Sequence, residues 1–402
     1  MRLVSIEEVR SAETRVAGVI RRTPLSQVES LVRAVGADVW CKEEQRQRTG
    51  SFKIRGAYNH IAQLEPGTHV VAASAGNHAQ GVALAAALCG LASTIFMPRG
   101  ASLPKVTATQ EYGAVVELVG DSIDEAVLQA KQYARDAHAR FVPPFDDRAV
   151  IAGQGTIALE VLADLPEVAT IVVPVGGGGL VSGIASAIKA LKPRCRVVGV
   201  EADGAASMRA SLDAGARRHL PSVATIADGI AVKSPSAMTL AHVKAFVDDL
   251  VTVSDEEIGQ ALLIVLERMK SVIEPSGAAG LAAVMAKKFP RKRRSGPIVV
   301  VLSGGNVDSL LLSRLIEHGL SVAGRYLRLR IDVPDRPGSL ARLAGDIARL
   351  ELNILAVDHH RERASLDLDE VEVAMTVETR GEEHRRAALR ALRERGWHVR
   401  PS

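Results

Sequence analysis

The chain has 402 residues with 50 Lys and Arg against 46 Asp and Glu, and a net charge of +4 over that length does not imply a nucleic-acid partner. It is 47% hydrophobic and only 3% aromatic, so two or three domains must be filled by Ala, Val, Leu and Ile, a composition that suits parallel strands buried on both faces. Cys41, Cys89 and Cys195 are odd in number, far apart and without metal-ligand spacing, which argues against a disulfide framework and fits a reducing compartment.

The N-terminal stretch carries Glu7, Glu8 and Glu13 and lacks the apolar core of a signal sequence. Apolar runs further along are short and broken by glycine or charge, so no membrane span is expected and the expected location is the cytoplasm. Lys53 lies between Phe52 and Ile54, an apolar setting that disfavours its ammonium form; the plain alternative is a surface lysine on a helix. Val70 to Ala73 reads as a strand, followed by Ser74-Ala75-Gly76-Asn77-His78 and an alanine-rich helix from about His78 to Leu88. In that loop, His78 reads as a residue that fixes the backbone by hydrogen bonding. Ser93 to Met97 reads as a further strand ending at Pro98.

Ile171 to Val175 is a buried strand that runs into Gly176-Gly177-Gly178-Gly179 and a helix from Leu180 to Leu191. Successive glycine amides at a helix start converge on an anion. A dinucleotide fingerprint is the rival, with Glu201 at a distance suited to a ribose contact. However, no register gives G-x-G-x-x-G/A: from Gly176 the last position is Val181, and from Gly177 it is Ser182. A phosphate cradle is the better reading. Val197 to Val200 and Ile298 to Leu302 are buried strands, and the latter delivers Ser303-Gly304-Gly305-Asn306, which taken alone reads equally well as an ordinary turn. Arg291-Lys292-Arg293-Arg294, between Pro290 and Ser295-Gly296, reads as a solvated loop. The alternation of strand, loop and helix predicts an α/β fold with binding residues at the carboxyl ends of parallel strands.

Beyond about Gly319 the texture changes. Tyr326 to Asp332 alternates like a half-exposed strand, Asp335-Arg336-Pro337-Gly338 leads into a helix with Leu340, Leu343, Ile347 and Leu350 on one face, and Leu352 to Val357 and Val371 to Val377 read as strands. A helix over Glu382 to Arg393 and a last strand at Trp397 to Val399 complete βαββαβ, a ferredoxin-like unit, with Val322 to Arg325 as the linker. His359 and His360, adjacent in a strand, point apart and make a poor metal site.

An amine, a nest of backbone amides and polar loop tips are together what pyridoxal phosphate (PLP) requires: a lysine for the Schiff base, a phosphate site, and partners for the ring. A serine at the ring nitrogen, as Ser303 would supply, does not enforce protonation, so a brief carbanion that expels hydroxide is favoured over transamination. The chain resembles the fold-type II PLP enzymes, and among them the threonine ammonia-lyase (threonine dehydratase) family. The resemblance rests on Lys42-Glu43-Glu44, Thr49 to Ala57, Ser74 to Gly81, Ala152-Gly153-Gln154-Gly155-Thr156, the tetraglycine and Ser303 to Asn306.

The resemblance implies two parallel-sheet lobes over about residues 1–320, with the small lobe near 45–148. It implies that Lys53 carries PLP, Phe52 packs on its ring, Asn77 bonds its phenolic oxygen and Gly176 to Gly179 bind its phosphate. It further implies that Ser74, Ala75, Gly76, Asn77 and His78 hold the substrate carboxylate. Pro143-Pro144-Phe145-Asp146 is similar to the substrate-pocket segment of threonine enzymes, with Phe145 as its lining residue. Racemases of the family carry a second serine where this chain has Ala75, and a methyl group transfers no proton. Residues 325–402 resemble an ACT regulatory domain, with Asp335, Gly338, Ser339 and Leu340 at its effector site. Glu201, Ala205 and Ser207 match a cation segment of some relatives, but Ser207 replaces an acidic ligand, so no divalent metal is expected and a monovalent cation is the candidate.

The expected activity is PLP-dependent deamination of L-threonine to 2-oxobutanoate and ammonia, with L-serine as a second substrate and isoleucine or valine as effector. A homodimer or homotetramer is expected, with no nucleic acid and no membrane. The rivals are an L-serine or 3-hydroxyaspartate dehydratase, a serine racemase and, from another class, an amino-acid-sensing regulatory protein.

Overall fold

The computed structural model describes residues 2–290, 296–322, 324–361 and 369–401. Two compact units emerge, Met1–Asp308 and Ser309–Ser402. The strands of the first unit are β1 (Leu25–Gln27), β2 (Val39–Glu43), β3 (Val70–Ala73), β4 (Ser93–Met97), β5 (Val115–Leu118), β6 (Arg140–Phe141), β7 (Thr170–Pro174), β8 (Arg196–Ala202), β9 (Asp249–Val253) and β10 (Ile298–Leu302). β3 to β6 build the small lobe, a parallel sheet in the order β5-β4-β3-β6. The large lobe is ordered β1-β2-β10-β7-β8-β9 and is parallel except for the antiparallel β1–β2 pair. The α/β reading with two parallel-sheet lobes is borne out.

Every residue of β3, β4, β7 and β10 is buried, which explains why β3 and β10 read as unbroken apolar runs and why none of the four shows the alternation of a half-exposed strand. β10 is pinned on both edges, with Val300 opposite Cys41 of β2 and Val172 of β7. Consequently β3, β7 and β10 end directly before Ser74, the tetraglycine and Ser303. The helix Arg148–Asp164, capped by the Asp147 carboxylate accepting from Val150 N–H at 3.0 Å, crosses the helix Lys53–Ile61 in close contact. A Cβ on Gly153 would lie 2.6 Å from the Arg55 carbonyl oxygen, so this crossing requires glycine and sets the height of the helix that begins with Lys53.

The second unit contains β11 (Tyr326–Pro334), β12 (Asn353–His360), β13 (Glu370–Glu378) and β14 (His398–Pro401), antiparallel in the order β12-β13-β11-β14. With the helices Ser339–Arg349 and Glu382–Glu394 this is βαββαβ, as the sequence predicts. Leu327, Leu329, Ile331, Leu343, Ile347 and Val373 form its core, and Trp397 Nε1 donates to Asp346 at 2.8 Å.

Three details differ from the sequence reading. Leu340 is 42% exposed, because the opening turn of its helix borders a cavity; only Leu343 and Ile347 of the predicted stripe are fully buried, and Leu350 packs partly. A helix over Ser309–Val322, assigned by sequence largely to the first domain, packs on β11 and clusters with the second unit. The Val322–Arg325 segment is also more than a linker. Gly324 N–H and Arg325 N–H turn back to Ser321 and Leu320, and Thr379 N–H bonds the Arg325 carbonyl at 2.8 Å. Arg291 to Arg294 lie outside the described residues. Among the described residues, no helix is long and apolar enough to cross a membrane.

Candidate active site

Backbone pairing brings the first and last motifs together. Phe52 N–H donates to the Ser303 carbonyl at 3.1 Å, Gly305 N–H donates to the Gly50 carbonyl at 2.8 Å, and Ser51 bridges Gly304. Asn306 Nδ2 then donates to both Thr49 O at 2.8 Å and Asn77 Oδ1 at 2.7 Å, which adds the second motif. The tetraglycine joins through a cavity of about 1100 Å³ that Lys53, Asn77, Gly177, Ser303 and Phe145 all line.

Lys53 is the first residue of its helix, and its Nζ donates to the Pro144 carbonyl at 3.1 Å while standing 5.3 Å from the Phe52 ring centre. Burial pushes the Lys53 ammonium down to about 8, against the opposing pull of the Glu274 carboxylate. Asn77 and His78 open the helix Asn77–Leu88, so their N–H groups have no intrahelical acceptor. The Gly76 amide is already taken by Ser74 Oγ at 3.1 Å, and the Ser74 amide by the Phe96 carbonyl. His78 Nε2 bonds the Val142 carbonyl at 3.0 Å; burial, and secondarily the Lys53 charge, hold it down to about 3, so the ring is neutral. That neutral ring fixes its loop and has no proton to give near pH 7.

The four glycines admit nothing larger. A Cβ on Gly177 would lie 2.3 Å from the Phe145 ring, and Gly178 combines φ +93° with a Cβ position 2.7 Å from Met208 Cε. Gly178 is the N-cap of the helix Gly179–Leu191, so free amides face the cavity at a positive helix end. Ser276 Oγ, buried and lining the same cavity, has no hydrogen-bond partner among the described residues.

Two groups were missed by sequence reasoning. Glu274 caps the buried helix Pro275–Met285, accepts from Asn77 Nδ2 at 2.8 and 3.0 Å, and is pushed up to about 7 by burial. Its signal was available: a carboxylate before a proline that opens a helix with no charged residue and only Ser276 polar has no solvent face and needs a partner inside. The second is a buried charge network behind Lys53. Arg55 bonds Glu44 at 2.8 Å and Glu160 at 2.6 Å, and Lys42 Nζ bonds Glu160 at 2.5 Å. Across the cavity mouth, Lys105–Asp228 at 2.7 Å and Lys233–Asp124 at 2.8 Å join the small lobe to the large one.

The remaining candidates lie elsewhere. Glu201 accepts from the N–H groups of Met208 and Arg209, both at 2.8 Å, and burial lifts its carboxyl to about 7. Among the described residues, no cluster of three or more His, Cys, Asp or Glu could hold a metal. In the second unit, Asp335, Gly338, Ser339 and Leu340 line a separate cavity of about 280 Å³ with His359 and Arg361, and Arg361 pairs with Asp335 at 3.1 Å.

Comparison with known proteins agrees with this geometry. Residues 16–304 match the pyridoxal-phosphate dependent enzyme family and residues 327–396 the ACT domain. The chain is 44% identical over 401 residues to the L-threonine ammonia-lyase of Thermotoga maritima, covering 99% of each chain. Among solved structures, maize serine racemase matches with a TM-score of 0.75 at 37% identity over 80% of this chain and 99% of that one. Threonine deaminase isoform 2 of Solanum lycopersicum matches with a TM-score of 0.73 at 35% identity over 79% of this chain and 90% of that one.

Proposed function

The chain belongs to the pyridoxal-phosphate dependent enzymes and carries an ACT domain, and we propose on that basis that it is an L-threonine ammonia-lyase regulated by an amino acid. The observation that carries this reading is the convergence of four separated motifs on one cavity around an amine held near 8. The cavity fits the cofactor: at each of the four glycines a Cβ would collide with Ile230, Phe145 or Met208, so only glycine brings bare backbone amides to this wall, and the orphaned Ser276 hydroxyl awaits a polar partner.

Lys53 would hold PLP through Nζ, the amides of Gly176 to Gly179 its phosphate, the second N–H of Asn77 Nδ2 its phenolic oxygen, and Ser303 its ring nitrogen. When bound, PLP supplies the electron sink that makes the amino acid's α-proton acidic enough to remove. Lys53 Nζ, held by the Pro144 carbonyl and depressed by burial, is available as a neutral base to take that proton. The amides of Asn77 and His78 would hold the substrate carboxylate, with Phe145 lining the cavity beside Gly177. Loss of the β-hydroxyl as water leads to 2-oxobutanoate and ammonia. Assay of α-keto acid release from L-threonine, L-serine and 3-hydroxyaspartate tests the reading: threonine should give the highest kcat/KM, and no keto acid from any of them would refute it.

A serine racemase is the rival that the fold alone leaves open. At position 75 this chain has a methyl group, so the face opposite Lys53 lacks the second proton carrier that racemisation needs. Conversion of L- to D-serine is therefore expected at under about one tenth of the rate of pyruvate formation, read by chiral chromatography alongside keto acid release. Equal rates would contradict the role given to Ala75.

For the ACT unit, the separate cavity beside Gly338 supports amino-acid binding, with isoleucine or valine as the effector. Gly338 is the N-cap of the helix Ser339–Arg349, where the helix dipole favours a carboxylate. β12 is exposed along the sheet edge, with Leu355 and Val357 showing 45% and 42% of their surface, which supports pairing between copies in a homodimer or homotetramer. Removing residues 325–402 should leave a folded, PLP-bound enzyme whose kcat/KM no longer responds to isoleucine or valine. An unchanged response in the truncated chain would place the effector site elsewhere.

A further inference from the structure

We propose that Glu274 is a positioning residue for the deamination, its ionised carboxylate fixing the orientation of the Asn77 carboxamide and its protonation releasing it. The inference rests on the lyase reading of the cavity and extends it. Glu274 is held from both ends. Its backbone N–H donates to the Gly304 carbonyl at 3.0 Å, and a Cβ on Gly304 would come within 2.5 Å of Oε1, so the carboxylate lies directly against the Ser303 loop.

Both carboxylate oxygens receive Asn77 Nδ2, at 2.8 and 3.0 Å. On its other side, Asn77 Oδ1 accepts from Asn306 Nδ2, which is itself anchored on Thr49 O at 2.8 Å. Turning the Asn77 amide over would set two NH₂ groups face to face and aim an oxygen at the carboxylate. An anionic Glu274 therefore enforces one orientation, with the remaining N–H of Nδ2 free to donate into the cavity. A protonated Glu274 loses the charge that makes this bond strong and presents a donor where Asn77 also presents one.

The charges acting on the carboxylate come from three elements: Lys53 of the helix Lys53–Ile61, Lys105 of the helix Leu103–Glu111, and Asp228 of the turn Asp228–Ile230. Burial raises the Glu274 carboxyl to about 7, the Asn77 bond opposes it, and Asp228 adds to it. Protonation thus falls where pH can move it. Activity that requires the carboxylate is retained above this value and lost as pH falls through it.

The test measures kcat and KM for L-threonine between pH 5.5 and 9, with bound-cofactor absorbance, for wild type, Glu274→Gln and Glu274→Ala. Wild-type kcat is expected to fall with one proton through about 8, where Lys53 gains its charge, and more steeply, with a second proton, below about 7. Glu274→Gln should bind PLP, keep KM within about twofold, lose kcat about tenfold at pH 8 and keep only the one-proton limb of Lys53; Glu274→Ala should lose about a hundredfold. A second-proton loss near 7 that survives in Glu274→Gln, or wild-type kcat in that variant, overturns the proposal. So does a wild-type profile without that second loss, which decides the matter even if neither variant folds. A wild-type protein with neither cofactor absorbance nor keto acid release refutes the lyase reading itself, which separates the two failures.

Discussion

Replacing Lys53 by alanine is expected to abolish keto acid release from L-threonine, by at least about 10³-fold in kcat, since one side chain both anchors the cofactor and moves the α-proton. The fold should survive. Lys53 donates to the Pro144 carbonyl, which is half-buried and open to water, and burial already disfavours the Lys53 charge, so its removal relieves one cost and leaves only that carbonyl to be hydrated. The variant should therefore keep its circular dichroism and lose the visible absorbance of the lysine-bound cofactor. Near-normal turnover in Lys53→Ala would remove the mechanism.

The largest expected stability loss comes from Arg55→Met. Arg55 has no exposed surface and directs its guanidinium to Glu44 at 2.8 Å and Glu160 at 2.6 Å, with Thr156 Oγ1 at 3.1 Å. Both carboxylates stay buried in the variant, Glu44 with the Thr23 hydroxyl and Glu160 with Lys42. Breaking a buried pair from one side costs about 3–5 kcal/mol, so Tm should fall by about 5–15 °C in scanning calorimetry. Arg55→Lys should fall between, because it restores the charge without the fork that serves two carboxylates. A loss in Arg55→Met below about 1 kcal/mol would mean that the network is no stronger than a surface ion pair. The network also bears on chemistry, since Arg55 lies two positions from Lys53 on the same helix.

Buried parallel strands were legible because a strand covered on both faces needs unbroken apolar residues, and the runs at 70–73, 171–175 and 298–302 had them. The site was legible where chemistry demands a residue type: a lysine amine, glycines at an anion, small polar tips at strand ends. Glu274 was not, because a buried carboxylate reveals itself only through its partner, and Asn77 lies 197 positions away. The Pro144 carbonyl was invisible for a related reason, since any residue offers a carbonyl and only the fold aims it. That the helix Ser309–Val322 clusters with the second unit was not legible, because the helix carries no break in its own pattern; its allegiance is set by what it packs on.

Lys53, among all the lysines, should hold the cofactor at the meeting point of the four motifs. Borohydride reduction of the PLP-loaded chain, followed by proteolysis and peptide mass mapping, tests it most directly. The pyridoxyl mass should appear on the peptide containing Lys53 and on no other. A modification found chiefly on another lysine, or none after loading to saturation, would mean that Lys53 does not form the Schiff base.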